Sequence, residues 1–441
     1  MHEQMTNTGA AAGSAPRLDT SVFPALTDLG FTGGRDSFQA LCAAVFASDE
    51  PRFLRAADGS LVVFRHADLR AIGASAKFGN ATPSALAARG KPQGGSAAEA
   101  PPRDAIVRVL SSQVFFTNDP IHAPIRRALL NQMGPKPTAA LEPLARQVVT
   151  ALLSELGESD EIDLVTDIAE PLTVRFWGAL IGLTDAEMTA LTPCVRALTP
   201  LLFMERTREQ SVRLNETFAL YGDIIEQAAL RSLKAGGHPF VEALAAELAG
   251  IHLEDDPEHA GIVPPNVGLL IAGNVFDGFH TAALAAANTV FALSSRPEIM
   301  AQVRATPAML AGAITEALRL EPPVIMLDRH VLEDVVFGGF KIPKGSTIVM
   351  MWGAGNFDPN AFQAPFEFDL TRGHQGLTTF GGGLQICPGR FIAVMLTRVL
   401  LEGLAESGMA LEPVAGRAQW IPAHKMCQLS TFPVRVRRGD A

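Results

Sequence analysis

The chain reads as a mainly α protein with small β-sheets, and three observations predict this. Between residues 138 and 248 apolar residues recur at helical spacing, in segments broken near Gly157, Gly182, Pro193, Pro200 and the pair Gly236 and Gly237. Residues 266–293 form the longest apolar helical pattern. Short β-type runs flank Asp58-Gly59 within 53–65 and Gly338-Gly339 within 335–345, each the mark of a hairpin.

At 441 residues and 48% hydrophobic content the chain can bury a large core, and length alone does not set the number of domains. A net charge of −10 argues against nucleic acid as a partner, because phosphate binding needs a basic surface. The four cysteines, Cys42, Cys194, Cys387 and Cys427, are scattered without a C-x-x-C pair, which fits a reducing compartment and predicts neither a disulfide framework nor a zinc site. No long apolar run escapes polar interruption, and the first 17 residues lack a charged-then-apolar leader. The expectation is a cytoplasmic protein with a disordered tail over 1–18 and no membrane partner.

The first chemical motif in chain order is Asp119-Pro120, a helix start, after which His122 and Arg126 share one helical face. Inside 266–293 the segment Asp277-Gly278-Phe279-His280-Thr281 puts polar groups and a glycine where a core helix places leucines. A glycine there weakens the helix and a threonine hydroxyl can bond one turn back, so a bulge or kink is expected. Glu316 and Arg319, three apart, are spaced for an ion pair, and Arg329 and Arg372 follow. Last comes Phe380-Gly381-Gly382-Gly383-Leu384-Gln385-Ile386-Cys387-Pro388-Gly389-Arg390, a glycine-rich turn that presents one cysteine ahead of a helix. Loop amides and a helix N-terminus there would favour the thiolate over the thiol.

Phe380, Gly381, Gly383, Cys387, Gly389 and Ala393 match, in order and spacing, the haem-binding signature F-G-x-G-x-[HR]-x-C-x-G-x-x-x-A, and the chain therefore resembles a cytochrome P450. Gln385 departs from it, standing where the family has His or Arg. The resemblance implies one cytochrome P450 domain over 19–441, with haem b buried between a long distal helix and the Cys387 loop. It implies Cys387 as the iron ligand, Phe380 and Gly381 in the haem-holding loop, and His122, Arg126, Arg329 and Gln385 as partners of the haem propionates. Glu316, Arg319 and Arg372 would form a structural network, and the loop at 81–105 would cover the substrate.

On the distal helix the resemblance assigns Thr281 to proton relay; its spacing from Glu316 favours this register over Ala272-Gly273. Asp277 stands where the family has a small residue and His280 where it has an acid, so both become candidates for proton delivery, with Asp277 also a reader of a polar substrate group. Gly273, Phe276, Asp277, Val324 and Ile325 would line the substrate pocket. The implied activity is hydroxylation of a mainly apolar small molecule by O2, with electrons from a separate ferredoxin or flavodoxin system docking near Arg127 and Arg390. Peroxide-driven oxidation, oxidative coupling and non-catalytic haem sensing remain open alternatives.

Overall fold

In the computed structural model, which describes residues 15–80, 104–252, 264–373 and 375–438, the first helices are α1 (Arg35–Val45) and α2 (His66–Gly73). Between them β1 (Leu54–Arg55) and β2 (Leu61–Val63) make the expected hairpin, whose turn is closed by Asp58 accepting the Ser60 N–H at 2.9 Å. Residues 16 and 18 of the expected tail pair instead with Lys341. After β3 (Phe78–Gly79), most of the loop expected at 81–105 lies outside the described residues, and its last two residues open α3 (Asp104–Leu110).

The helical stretch continues with α4 (His122–Met133), α5 (Pro135–Ala140) and α6 (Glu142–Glu155), then β4 (Glu161–Asp163), α7 (Glu170–Ile181), α8 (Asp185–Ala197), α9 (Arg208–Ala235) and α10 (Pro239–Ala249). Its breaks fall near Gly157, Gly182, Pro200 and Gly236 as expected, but Pro193 sits inside α8. Capping boxes at Thr184 and Thr207 begin α8 and α9, so those starts are specified by side chains rather than by breakers.

The apolar pattern at 266–293 becomes α11 (Val267–Ser294), opened by Asn266 accepting the Leu269 N–H at 2.9 Å. It packs against α7, α9, α13 (Leu310–Leu320) and α15 (Arg390–Glu406), with α12 (Pro297–Ala305) following it. By length and composition α11 alone among the described helices is apolar enough to span a membrane, but its apolar surface is spent on this core. The expected bulge is absent, since α11 runs unbroken: Thr281 Oγ1 donates to the Asp277 carbonyl at 2.7 Å in addition to the helix ladder. Gly278 answers a packing need instead, because a Cβ there would meet the Trp177 indole at 2.8 Å.

The remaining strands are β5 (Leu327–Val331), β6 (Val335–Phe337), β7 (Phe340–Ile342) and β8 (Thr347–Met350), then, after the short α14 (Trp352–Gly355), β9 (Met409–Pro413), β10 (Gln419–Trp420), β11 (Leu429–Thr431) and β12 (Pro433–Arg438). The main sheet has the order β1-β2-β8-β5-β3, parallel only between β2 and β8. Alternation along β5 buries Arg329 while Asp328 and His330 stay half-exposed.

Candidate active site

The Cys387 loop is shaped by its neighbours before any chemistry is considered. The Cys387 N–H donates to the Phe380 carbonyl at 2.9 Å and the Gly381 N–H to the Thr378 carbonyl at 2.9 Å, which fold the segment back on itself. Gly383 is held at φ +63° with its Cα side pressed on α2; a Cβ would lie 2.1 Å from the Gly73 carbonyl oxygen, so no other residue fits. Gly382 rests on the buried Trp352 ring, a support that nothing in the sequence marked. Arg390 holds the loop's far end by donating to the Cys387 carbonyl at 2.8 Å.

Cys387 is half-buried, unlike the fully buried Cys42, Cys194 and Cys427. Its thiol is pushed up to about 11, first by burial, with the Asp277 charge adding to the rise and the Gly389 N–H, Arg390 and Arg126 opposing it. The Gly389 amide acts in the expected direction, favouring the thiolate, while desolvation opposes it; a bound metal cation would favour the thiolate further.

Three cationic or basic side chains gather beside this loop. His122 is buried, with Nδ1 3.1 Å from the Val114 carbonyl oxygen and Nε2 unpaired, and burial followed by Arg126 and Arg329 keeps its pKa low. Arg126 donates to the Ile386 carbonyl, one residue before Cys387. Arg329 is 2% exposed, donates to the Asp328 carbonyl at 3.0 Å and lies 5.3 Å over the Phe115 ring. Burial lowers its pKa to about 10, and it has no ion pair among the described residues. Gln385, half-buried, makes no hydrogen bond among them. A half-buried thiol flanked by buried guanidinium and imidazole groups that make no ion pair among the described residues fits haem, which brings a metal for the sulfur and carboxylates for the cations.

Nearby, Glu316 and Arg319 are 0% exposed and doubly bonded, Nε to Oε1 at 2.7 Å and Nη2 to Oε2 at 3.0 Å. Arg319 also donates to the Asn356 carbonyl at 2.9 Å and the Glu367 carbonyl at 2.8 Å. Arg372 Nε reaches Glu316 Oε1 at 3.1 Å as an ion contact without hydrogen-bond alignment. The expected trio is thus assembled.

Opposite the loop, α11 presents Asp277 and Thr281 on one face. Asp277 accepts from Gln113 Nε2, and burial raises its carboxyl to about 7 against that bond. Gln113 lies in a short turn with no periodic signal to mark it in the sequence. His280 is not brought to this pair. It is 6% exposed among His424 and Gln428, and burial, then His424, lower its pKa to about 4. Gln428 approaches closely enough to oppose that shift, although His280 Nε2 and Gln428 Oε1 both lack a well-formed hydrogen bond.

Of the five residues expected to line a pocket, three are closely packed against protein. Gly273 is pressed on the backbone of 109–113, Phe276 lies tilted against Phe218 at 5.4 Å between ring centroids, and Ile325 is 0% exposed. Asp277 and Val324 keep some surface.

A model of the cytochrome P450 family matches residues 253–405. Cytochrome P450 144 of Mycobacterium tuberculosis is 32% identical over 322 residues, 73% of this chain and 72% of that one. The 6-deoxyerythronolide B hydroxylase of Saccharopolyspora erythraea is 26% identical over 291 residues, 65% of this chain and 68% of the relative. The crystal structure of CalO2 shares the fold with a TM-score of 0.76 at 23% identity, covering 92% of this chain and 97% of that one. A site that fits haem, a matching family model and a relative this similar over most of its length lead to one conclusion: the chain belongs to the cytochrome P450 family, haem-dependent monooxygenases that act on a substrate with O2 and electrons from a redox partner.

Proposed function

We propose that Cys387 is the thiolate ligand of a haem b, that His122, Arg126 and Arg329 hold its carboxylates, and that the enzyme hydroxylates a mainly apolar small molecule. The observation that carries this reading is the half-buried thiol beside buried basic groups that make no ion pair among the described residues. Haem, when bound, supplies reductive activation of O2. The overall reaction consumes two electrons and two protons, leaving one oxygen atom on substrate and one in water.

The chain's residues manage position and protons. The Phe380 carbonyl holds the Cys387 backbone by accepting its N–H, and the Gly389 N–H faces the sulfur. Thr281, whose hydroxyl rests on the Asp277 carbonyl, is the group that can turn to hold a proton donor in the cleft, and Asp277 lies on the same face one turn away. His280 is a positioning residue in this reading, joining α11 to the segment of His424 and Gln428, rather than the proton donor expected from its place before Thr281. Electrons come from a separate ferredoxin or flavodoxin-type donor in the cytoplasm. Exposed Arg127 is available for docking, whereas Arg390 is engaged at the Cys387 carbonyl.

The test is turnover with a surrogate ferredoxin system under 18O2. Product gaining one labelled oxygen supports insertion; a product that gains none and has lost two hydrogens identifies coupling or desaturation instead. His280→Ala should remain coupled while Thr281→Ala releases peroxide, and equal uncoupling of both variants would return His280 to the proton path.

A further inference from the structure

Gln113 and Asp277 make a polar island in an otherwise apolar interior. Gln113 is 3% exposed, and its Nε2 donates to Asp277 Oδ2. With Asp277 ionised that bond fixes the amide's orientation, since a carboxylate then faces only a donor. Gln113 Oε1 is left buried without a partner among the described residues, and Asp277 Oδ1 receives no hydrogen bond from them. The neighbouring hydroxyls are engaged elsewhere: that of Thr281 donates to the Asp277 backbone carbonyl at 2.7 Å and that of Tyr221 to the Ala272 carbonyl at 2.7 Å.

Both side chains stand on fixed supports. Asn274 ties the segment of Gln113 to α11 by accepting the Val114 N–H at 3.0 Å and donating to the Ser112 carbonyl at 3.0 Å. Gly273 allows the two backbones to meet, because a Cβ there would lie 2.8 Å from the Val109 carbonyl oxygen. Asp277 acts through space on the Cys387 thiol, so the pair belongs to the interior that the cysteine faces. With Asp277 ionised the island therefore offers acceptors and no free donor, and the Gln113 oxygen is a buried acceptor of the kind that is normally matched.

Given the haem site described above, we propose that Asp277 and Gln113 recognise a protonated amine on the substrate, so that the substrate class is an apolar molecule carrying one basic nitrogen. An ammonium group supplies N–H donors to both acceptors and a charge to the carboxylate, which a neutral hydroxyl does not. An arriving cation also offsets the burial that holds Asp277 near 7.

The experiment compares three ligands of matched length, N-methylnonylamine, 1-decanol and undecane, binding to the holoenzyme by calorimetry and by the Soret spin-state change. The amine should bind about ten- to a hundredfold more tightly than either neutral ligand, the range for a hydrogen bond to a charged group, with a shift toward high spin. Asp277→Asn should abolish that preference and leave undecane binding unchanged, and Gln113→Leu should reduce it. Equal affinity for amine and alcohol overturns the proposal, and so does a low-spin shift that survives Asp277→Asn, which marks nitrogen on the iron. If Asp277→Asn holds no haem, undiminished preference in Gln113→Leu overturns it. A wild-type protein with no thiolate-type carbon-monoxide spectrum removes the haem reading; one with that spectrum but no amine preference removes only this inference.

Discussion

Two clusters of buried cations lie near the Cys387 loop, and they are built on opposite principles. Around Arg319 every donor has an acceptor: the Glu316 carboxylate takes two of its bonds, backbone carbonyls take the rest, and Arg372 closes the network from outside. Around Arg329 there is a carbonyl and an aromatic face but no ion pair, and the neighbouring His122 leaves a ring nitrogen unpaired. Desolvation costs the same kind of free energy in both places. The first cluster offsets it internally and serves the fold; in the second the Asp328 and Asp119 charges act only at a distance and no ion pair forms among the described residues, which leaves room for an anion.

The largest expected effect comes from breaking the closed cluster. Arg319→Ala takes from the buried Glu316 its doubly bonded cation and leaves only the Arg372 contact and the Asp369 N–H, costing roughly 3–5 kcal/mol, enough to remove much of a domain's stability. Expression with haem quantitation should give no soluble haem protein. Full haem occupancy in a soluble variant would show that the two clusters do not differ in this way.

Breaking the open cluster should do the reverse to the polypeptide. Arg329→Met removes a buried cation that has no internal ion pair, so the haem-free protein should melt no lower than wild type, while haem transfer to an acceptor protein accelerates about tenfold or more. A large loss of apoprotein stability would mean that Arg329 serves the fold as Arg319 does.

Smaller effects separate the two sides of α11 by pH. Asp277 is raised from 3.8 to about 7, so the folded state holds its proton more tightly than the unfolded chain, and stability declines as pH rises through that window. His280 is lowered from 6.5 to about 4, so its contribution is lost as pH falls from 6.5 toward 4. Thermal melts should show Asp277→Asn gaining most above pH 7 and His280→Gln gaining most below pH 5. A pH-independent gain in either variant would contradict its assigned burial. The smallest effect belongs to Gln385→Ala, which should lose little haem, because Gln385 makes no hydrogen bond among the described residues and three basic groups stand ready for the carboxylates.

The helical architecture, both hairpins and the bounds of α11 were legible because periodicity and turn residues act locally. The Cys387 loop and the Glu316–Arg319 pair were legible for the same reason, being short and densely patterned. What stayed hidden depends on contacts distant in sequence: Gln113 meeting Asp277, Trp352 under Gly382, and His280 turned toward Gln428. Helical position one residue before Thr281 says nothing about which neighbour a side chain will face. Likewise Phe276 and Ile325 read equally well as pocket or core, and their burial follows from contacts that periodicity does not specify.

The most direct test of the central claim, a thiolate-held haem at Cys387, is the spectrum of the reduced carbon-monoxide complex. Wild-type protein should show the red-shifted Soret band that a thiolate ligand produces, and Cys387→Ala, with haem reconstituted, should lose it. The same red-shifted band in Cys387→Ala would mean that another residue holds the iron, and the assignment of this site would be wrong.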